Sequence, residues 1–422
     1  MKIILSFITI IVLSSFPLYN DKKPFGLRQI FHLFCFLFFG VAGLVQHLNN
    51  DYLAPLYTDL EDADYFVANN VIILSILLFE VFYHFFSKRK EDCIYCNPKS
   101  HQLCAKTSRC VIFILCFIIL KFYLNSFSII NIFLRGGDGT RLTLDKTTAL
   151  LLRSINYIPL TIAYYYFLSR NKRPSLSVFF IIVLLFFCMP TSTDRLNILP
   201  LYLPLFALFF NSFKKYKYLP RTLFLFGATT VYPILGATRK IVSSDSTLSD
   251  IFVLRGLSET FATLNFDSYK TLVFVINKKI VLYGQQLLGC IFFMIPRSFW
   301  PNKPVGSGYY IAEKYDLGFG RFYNISMNYL GEGYINFGYF GIFIFVIALS
   351  IFCSKLDTIY WEDNNGDISR PFALYYWVTV GYLFFLLRGD MLSGTAFYCG
   401  IVTYVLIIEK NCFKWIDANQ ML

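Results

Sequence analysis

Apolar runs of about 16–22 residues recur along most of the chain, each closed by a short cluster of charged, glycine or proline residues. Each run is long enough, or nearly so, to cross about 30 Å of hydrocarbon as a helix. The pattern predicts spans at about 3–18, 29–48, 66–86, 111–133, 148–168, 176–190, 196–211, 222–238, 333–353, 371–388 and 393–409. The two at 176–190 and 196–211 are short and are joined by a tight turn, Thr191–Arg195 (TSTDR). The expected fold class is an all-α polytopic membrane protein of about 11 transmembrane helices, with 10–12 as the range.

One region breaks the pattern. Residues 295–343 are polar, basic, aromatic and glycine-rich together, and they run straight into an apolar helix. They are read as part of one large extracytoplasmic loop, expected over 239–332 and containing short or re-entrant helices. A full crossing at 280–296 would upset the parity of the spans, so a partial or re-entrant helix is expected there. The organisation that follows is an N-terminal membrane bundle over 1–238, the loop over 239–332, and a C-terminal bundle with a cytoplasmic tail over 333–422.

Composition narrows the class. Of 422 residues, 56% are hydrophobic and 15% charged, with a mean hydropathy of +0.55. Soluble domains carry about 25% charged residues, so an ordinary soluble protein is excluded. The net charge of +12 invites a nucleic-acid reading, but most cations lie between apolar runs, where orientation in the bilayer explains them. One alternate set of short loops holds about twenty Lys and Arg and the other a handful. The positive-inside rule puts the rich set and the C-terminus in the cytoplasm and, for eleven spans, the N-terminus outside. Met1–Leu18 lacks a small-residue cleavage site and is read as a first span. The eleven cysteines are scattered, many within apolar runs, as small buried hydrophobes.

Arginines gather at span ends on the outward side: Arg135, Arg141, Arg195, Arg239, Arg297 and Arg388. Guanidinium binds phosphate through a planar fork and keeps its charge; the competing reading has each arginine anchoring a helix end at the interface. Pro296, Pro301 and Pro304 break any helix across IPRSFWPNKP. Trp300, Tyr309, Tyr310 and Tyr315, with Lys303 among them, offer flat faces that suit sugar rings or an interface. Glu332 lies between Gly331 and Gly333 in YLGEGYINFG. It reads either as a general base with close backbone approach or as an acidic helix start favoured by the dipole. Asp194 and Asp390 are read as orienting their neighbouring arginines. On the inner side, Cys93, Cys96, His101 and Cys104 only approximate a zinc spacing, and reduced, unligated thiols are the preferred reading. Lys121, about ten residues into a span, is expected to pair with Glu80.

The ordered series TSTDR, GATRK, IPRSFWPNKP, GEGYINFGYFG and RGD, over roughly residues 130–410, resembles the Wzy-type oligosaccharide repeat unit polymerases of bacterial O-antigen and surface polysaccharide. The resemblance implies a glycosyltransferase of the bacterial inner membrane that acts on its outer face. There a growing glycan on polyprenyl (undecaprenyl) diphosphate moves onto the non-reducing end of a new lipid-linked repeat unit. Arg195 and Arg239 would bind the leaving diphosphate, with Arg135, Arg297, Lys303 and Arg388 as further anion ligands. Asp390 would support the binding site, Trp300, Tyr309 and Tyr310 would contact sugar, and Glu332 would activate the acceptor hydroxyl. The implied partners are the lipid-linked oligosaccharide, membrane lipid and a chain-length regulator protein, with no nucleic acid. No cofactor is expected and catalysis is expected to be metal-independent. The alternatives are an O-antigen ligase and a transporter or flippase of lipid-linked oligosaccharide.

Overall fold

The computed structural model describes residues 1–49 (except 22 and 24), 60–87, 101–125, 154–190, 195–209, 266–317 and 325–417, with isolated positions between them. The helices are α1 (Lys2–Asn20), α2 (Leu27–Leu48), α3 (Asp62–Ser87), α4 (Thr107–Leu124), α5 (Tyr157–Leu168), α6 (Pro174–Phe187), α7 (Arg195–Phe209), α8 (Ser268–Asn277), α9 (Gln285–Ile291), α10 (Ser307–Lys314), α11 (Tyr329–Asp357), α12 (Ala373–Arg388) and α13 (Met391–Cys412). Among the described residues, six helical segments are long and apolar enough to cross a membrane: α1, α2, α3, α4, α13 and α11 together with its extension to Asp363. The chain is a helical, multi-pass membrane protein. Ten of the eleven expected spans coincide with helices; the one at 222–238 lies almost wholly outside the described residues.

The bundle packs through small and polar positions, as lipid-facing helices must when no solvent drives them together. Helix α3 runs along α11, where the Ser350 and Ser354 hydroxyls donate to the Phe79 and Tyr83 carbonyls at 2.9 and 3.0 Å. Helices α7 and α12 meet at Gly381, where a Cβ would fall 2.6 Å from the Pro200 Cα.

Glycine also bends the helix that was expected to start at 333. Gly338, at φ 64° and ψ −149°, adopts a conformation essentially reserved for glycine. The first part of α11 therefore folds back, and a Cβ at Gly341 would lie 2.0 Å from the Gly333 carbonyl oxygen. The long apolar helix begins after Gly338, and residues 329–336 form a separate short helix at its mouth, with Phe337 and Gly338 non-helical between them. Asn328 caps that short helix by accepting from the Gly331 amide at 2.8 Å. Asn336 takes the Leu287 amide on its side chain at 2.9 Å and the Gly284 amide on its carbonyl at 2.9 Å. Those bonds fasten α9, the short helix realised within 280–296, to the bend.

At the opposite end, buried charges tie α2, α3, α11 and α12 together. Asp357 accepts from the Leu27 amide (2.9 Å), the Arg28 amide (3.2 Å), the Tyr83 hydroxyl (2.8 Å) and the Tyr376 hydroxyl (2.7 Å). Glu80 receives the Arg28 fork at 2.9 and 2.5 Å and His32 Nε2 at 2.5 Å. The expected Lys121–Glu80 pair is therefore wrong. The Lys121 ammonium donates instead to Asn156 Oδ1 at 2.9 Å, because α5 and not α3 lies beside α4 at that depth.

A departure from the all-α expectation is an antiparallel ribbon of β1 (His101–Ala105) and β2 (Phe413–Asp417), with Leu103 opposite Trp415. His101 and Cys104 both fall on β1. Cys93 and Cys96 lie outside the described residues. Among the described residues, no group of three metal-ligating side chains gathers.

Candidate functional site

The Arg388–Gly389–Asp390 turn between α12 and α13 meets the starts of α8 and α10 and the short helix that carries Glu332. Arg388 reaches back to Asp267, at the start of α8, with its Nη2 at 3.4 Å from Oδ1. Asp267 is buried, and its other oxygen accepts the Ser326 amide at 3.0 Å. Burial pushes the Asp267 carboxyl above its usual range, while the Arg388 guanidinium opposes that shift. The Asn328 side chain donates to the Ser268 carbonyl at 2.5 Å, joining α8 to the short helix that carries Glu332.

Asp390 faces the other way. It accepts from the Leu392 amide at 3.1 Å and the Ser393 hydroxyl at 3.0 Å, which caps α13. It also receives the Ser307 amide at the start of α10 and interacts directly with the Glu332 carboxyl. Glu332 is 1% exposed. One of its oxygens accepts from the Ser307 hydroxyl at 2.7 Å and the other from the Met391 amide at 3.0 Å. Gly306 permits this contact, since a Cβ there would overlap the Asp390 carboxylate. Two buried carboxyl groups in contact cannot both ionise, so a proton is held between them. The expectation that Asp390 orients its neighbouring arginine is corrected: Arg388 pairs with Asp267, and Asp390 pairs with Glu332.

The basic loop behaves differently from the expectation. Lys303, 5% exposed, donates to the Phe293 and Ile295 carbonyls at 2.5 and 2.9 Å. Arg297 donates to the Lys303 and Pro304 carbonyls at 2.8 and 3.3 Å. Three prolines leave this loop without a helical hydrogen-bond ladder, and the two cations satisfy its exposed carbonyls. Both residues thus have a structural task beside the carboxylate pair. Trp300 is half-buried at the same turn, while Tyr309 and Tyr310 lie half-buried on α10, two and three residues past Ser307. Lys314 donates to the Tyr310 hydroxyl at 3.3 Å.

Arg135, Arg141, Asp194 and Arg239 lie outside the described residues. Arg195 opens α7, with only its backbone described. Sequence reasoning missed Ser307 and Asp267. Ser307 had a signal, a small hydroxyl residue after glycine opening an amphipathic segment. Asp267 had none, because its partner is 121 positions away.

No family model, no curated protein and no solved structure matches this chain.

The buried Glu332–Asp390 pair makes the stability of the fold depend on pH. Burial raises the Asp390 carboxyl above the usual carboxylate range, against hydrogen bonds from Leu392, Ser393 and Ser307 that pull it down. The folded chain therefore keeps a proton that the unfolded chain releases near about pH 4. Its contribution to stability is fullest below that pH and falls as pH rises through the raised folded value. In detergent, the unfolding midpoint should climb on acidification from pH 7 to 5, and Asp390→Asn should flatten that slope. An unchanged slope in the variant would refute the assignment.

Proposed function

We propose that this chain polymerises lipid-linked oligosaccharide repeat units at the outer face of a bacterial inner membrane. The reading includes about eleven spans, with residues 239–332 on the outer side. One observation carries it: the Arg388–Asp390 turn joins the α8 segment, the α10 segment and the Glu332 helix at one end of the bundle. Two of these, the Glu332 helix (GEGYINFGYFG) and the RGD turn, are stretches that give the sequence its resemblance to the Wzy-type polymerases, and they are distant along the chain.

The chemistry is a displacement at an anomeric carbon. The acceptor hydroxyl oxygen forms the new bond to that carbon. The bond to the carrier's diphosphate breaks, and the diphosphate leaves with the electron pair. The hydroxyl proton passes to the Glu332–Asp390 carboxylate pair, which can hold one proton and take a second. A paired carboxylate of this kind is suited to general-base work. Arg195 and Arg239 are assigned to the leaving diphosphate, where fixed cations stabilise developing charge. Tyr309 and Tyr310, beside Ser307, would flank the sugar.

Deletion followed by gel analysis of surface polysaccharide tests this function. A polymerase loss should leave a single repeat unit on the carrier or core instead of a ladder. Loss of even the single unit would identify a ligase or flippase, and an intact ladder would end the proposal.

A further inference from the structure

Lys270, on the first turn of α8, is 2% exposed. Among the described residues, no acceptor bonds its ammonium and no carboxylate pairs with it. Asp267, one turn earlier, is committed to Arg388 and the Ser326 amide. The neighbouring Tyr269 hydroxyl donates to Asn69 at 2.7 Å. Within electrostatic reach stands another nitrogen group, His47 at the end of α2. Its Nδ1 is buried and has no hydrogen-bond partner among the described residues. The His47 ring is held by Tyr65 at 4.9 Å and Phe7 at 5.8 Å between centroids. Burial alone pulls the Lys270 ammonium below its usual range. A sequestered cation with no counter-charge is costly, and buried ionisable groups persist where an anion or a function compensates them.

We propose that Lys270, with His47 beside it, forms an anion subsite for a phosphate group at the Glu332 end of the bundle. An ammonium gives three rotatable donors, and the imidazole can add one more to a second phosphate oxygen. Arg388 is already engaged by Asp267, and Lys303 and Arg297 by loop carbonyls, so Lys270 is the charge available to a ligand. The identity of the phosphate as the polyprenyl carrier's diphosphate rests on the polymerase reading. The subsite itself does not.

The test uses the full chain in detergent, with inorganic pyrophosphate as the probe and the unfolding midpoint as the readout. Pyrophosphate should raise the midpoint of the wild type in a saturable way. Lys270→Met should weaken that binding at least tenfold, while its ligand-free midpoint stays equal or rises because an unpaired buried charge has gone. Lys270→Arg should retain most of the binding. Lys270→Gln serves as a second neutral variant should the methionine variant fold poorly, and the same loss is expected. No shift in the wild type, or an unchanged affinity in either neutral variant, overturns the subsite. Competition by undecaprenyl diphosphate but not by phosphatidylglycerol vesicles would assign the subsite to the carrier. Equal competition by both would assign a general lipid phosphate and keep the subsite. A chain that binds pyrophosphate through Lys270, yet whose deletion leaves the polysaccharide ladder intact, would keep the subsite and lose the polymerase reading.

Discussion

Asp357→Ala should cost about 3–5 kcal/mol, the scale of breaking a buried charged partner network, and leave little folded protein in detergent extracts. The carboxylate is fully buried and receives four donors from three other elements. Two of the donors are the first amides of α2, which have no partner within their own helix. The other two are hydroxyls of α3 and α12, so one side chain sets the positions of three helices relative to α11. Alanine would strand the two amides and the Tyr83 hydroxyl away from water, while the Tyr376 hydroxyl keeps the Phe25 carbonyl at 3.2 Å; each stranded group costs about 1–3 kcal/mol before relaxation. Asp357→Asn keeps one carbonyl oxygen and should fall between the two. The check is folded yield by size exclusion together with the unfolding midpoint. An alanine variant with wild-type yield and midpoint would show that the cluster does not organise the bundle.

The same cluster shows what the sequence could reveal. Spans were legible because a run of about 20 apolar residues has few other uses, and helices stand at nearly every expected position. The pairing of charges was less legible. Lys121 was matched to Glu80 by depth alone, whereas Arg28 and His32 are four apart on one helix face, as are Glu80 and His84. That spacing was a readable sign that α2 and α3 meet through Glu80. The bend at Gly338 was hidden for a different reason. GYINFGYFG looks like a helix entering the bilayer, and only the close approach of Gly333 to Gly341 makes the fold-back favourable. Within the candidate site, Glu332 stood out by its flanking glycines and RGD by its place at a span end, and the two do meet. The partners were not legible, because Asp390 meets Glu332 across 58 positions and Ser307 across 83. No local pattern encodes such a contact.

Glu332→Gln should abolish the polysaccharide ladder while leaving folded protein at wild-type level. Glutamine is nearly isosteric, so its carbonyl can still accept from Ser307 or Met391, and its amide can replace the proton shared with Asp390. The packing around Gly306 is preserved and the hydrogen-bond count changes little. What disappears is the ability to accept a proton, and losing a general base lowers the rate by about 10²–10⁴-fold. A defect of that size leaves a single repeat unit on the gel. Asp390→Asn should weaken polymerisation as well, because the pair can then no longer exchange a proton between two carboxyls. A merely structural pair behaves oppositely: both amide variants would preserve it, and the ladder would survive. Ser307→Ala completes the comparison. It removes one donor to Glu332 without touching the proton, and should leave a shortened ladder where Glu332→Gln leaves none. If Ser307→Ala is as severe as Glu332→Gln, the hydrogen-bonded geometry rather than the proton is what the site requires.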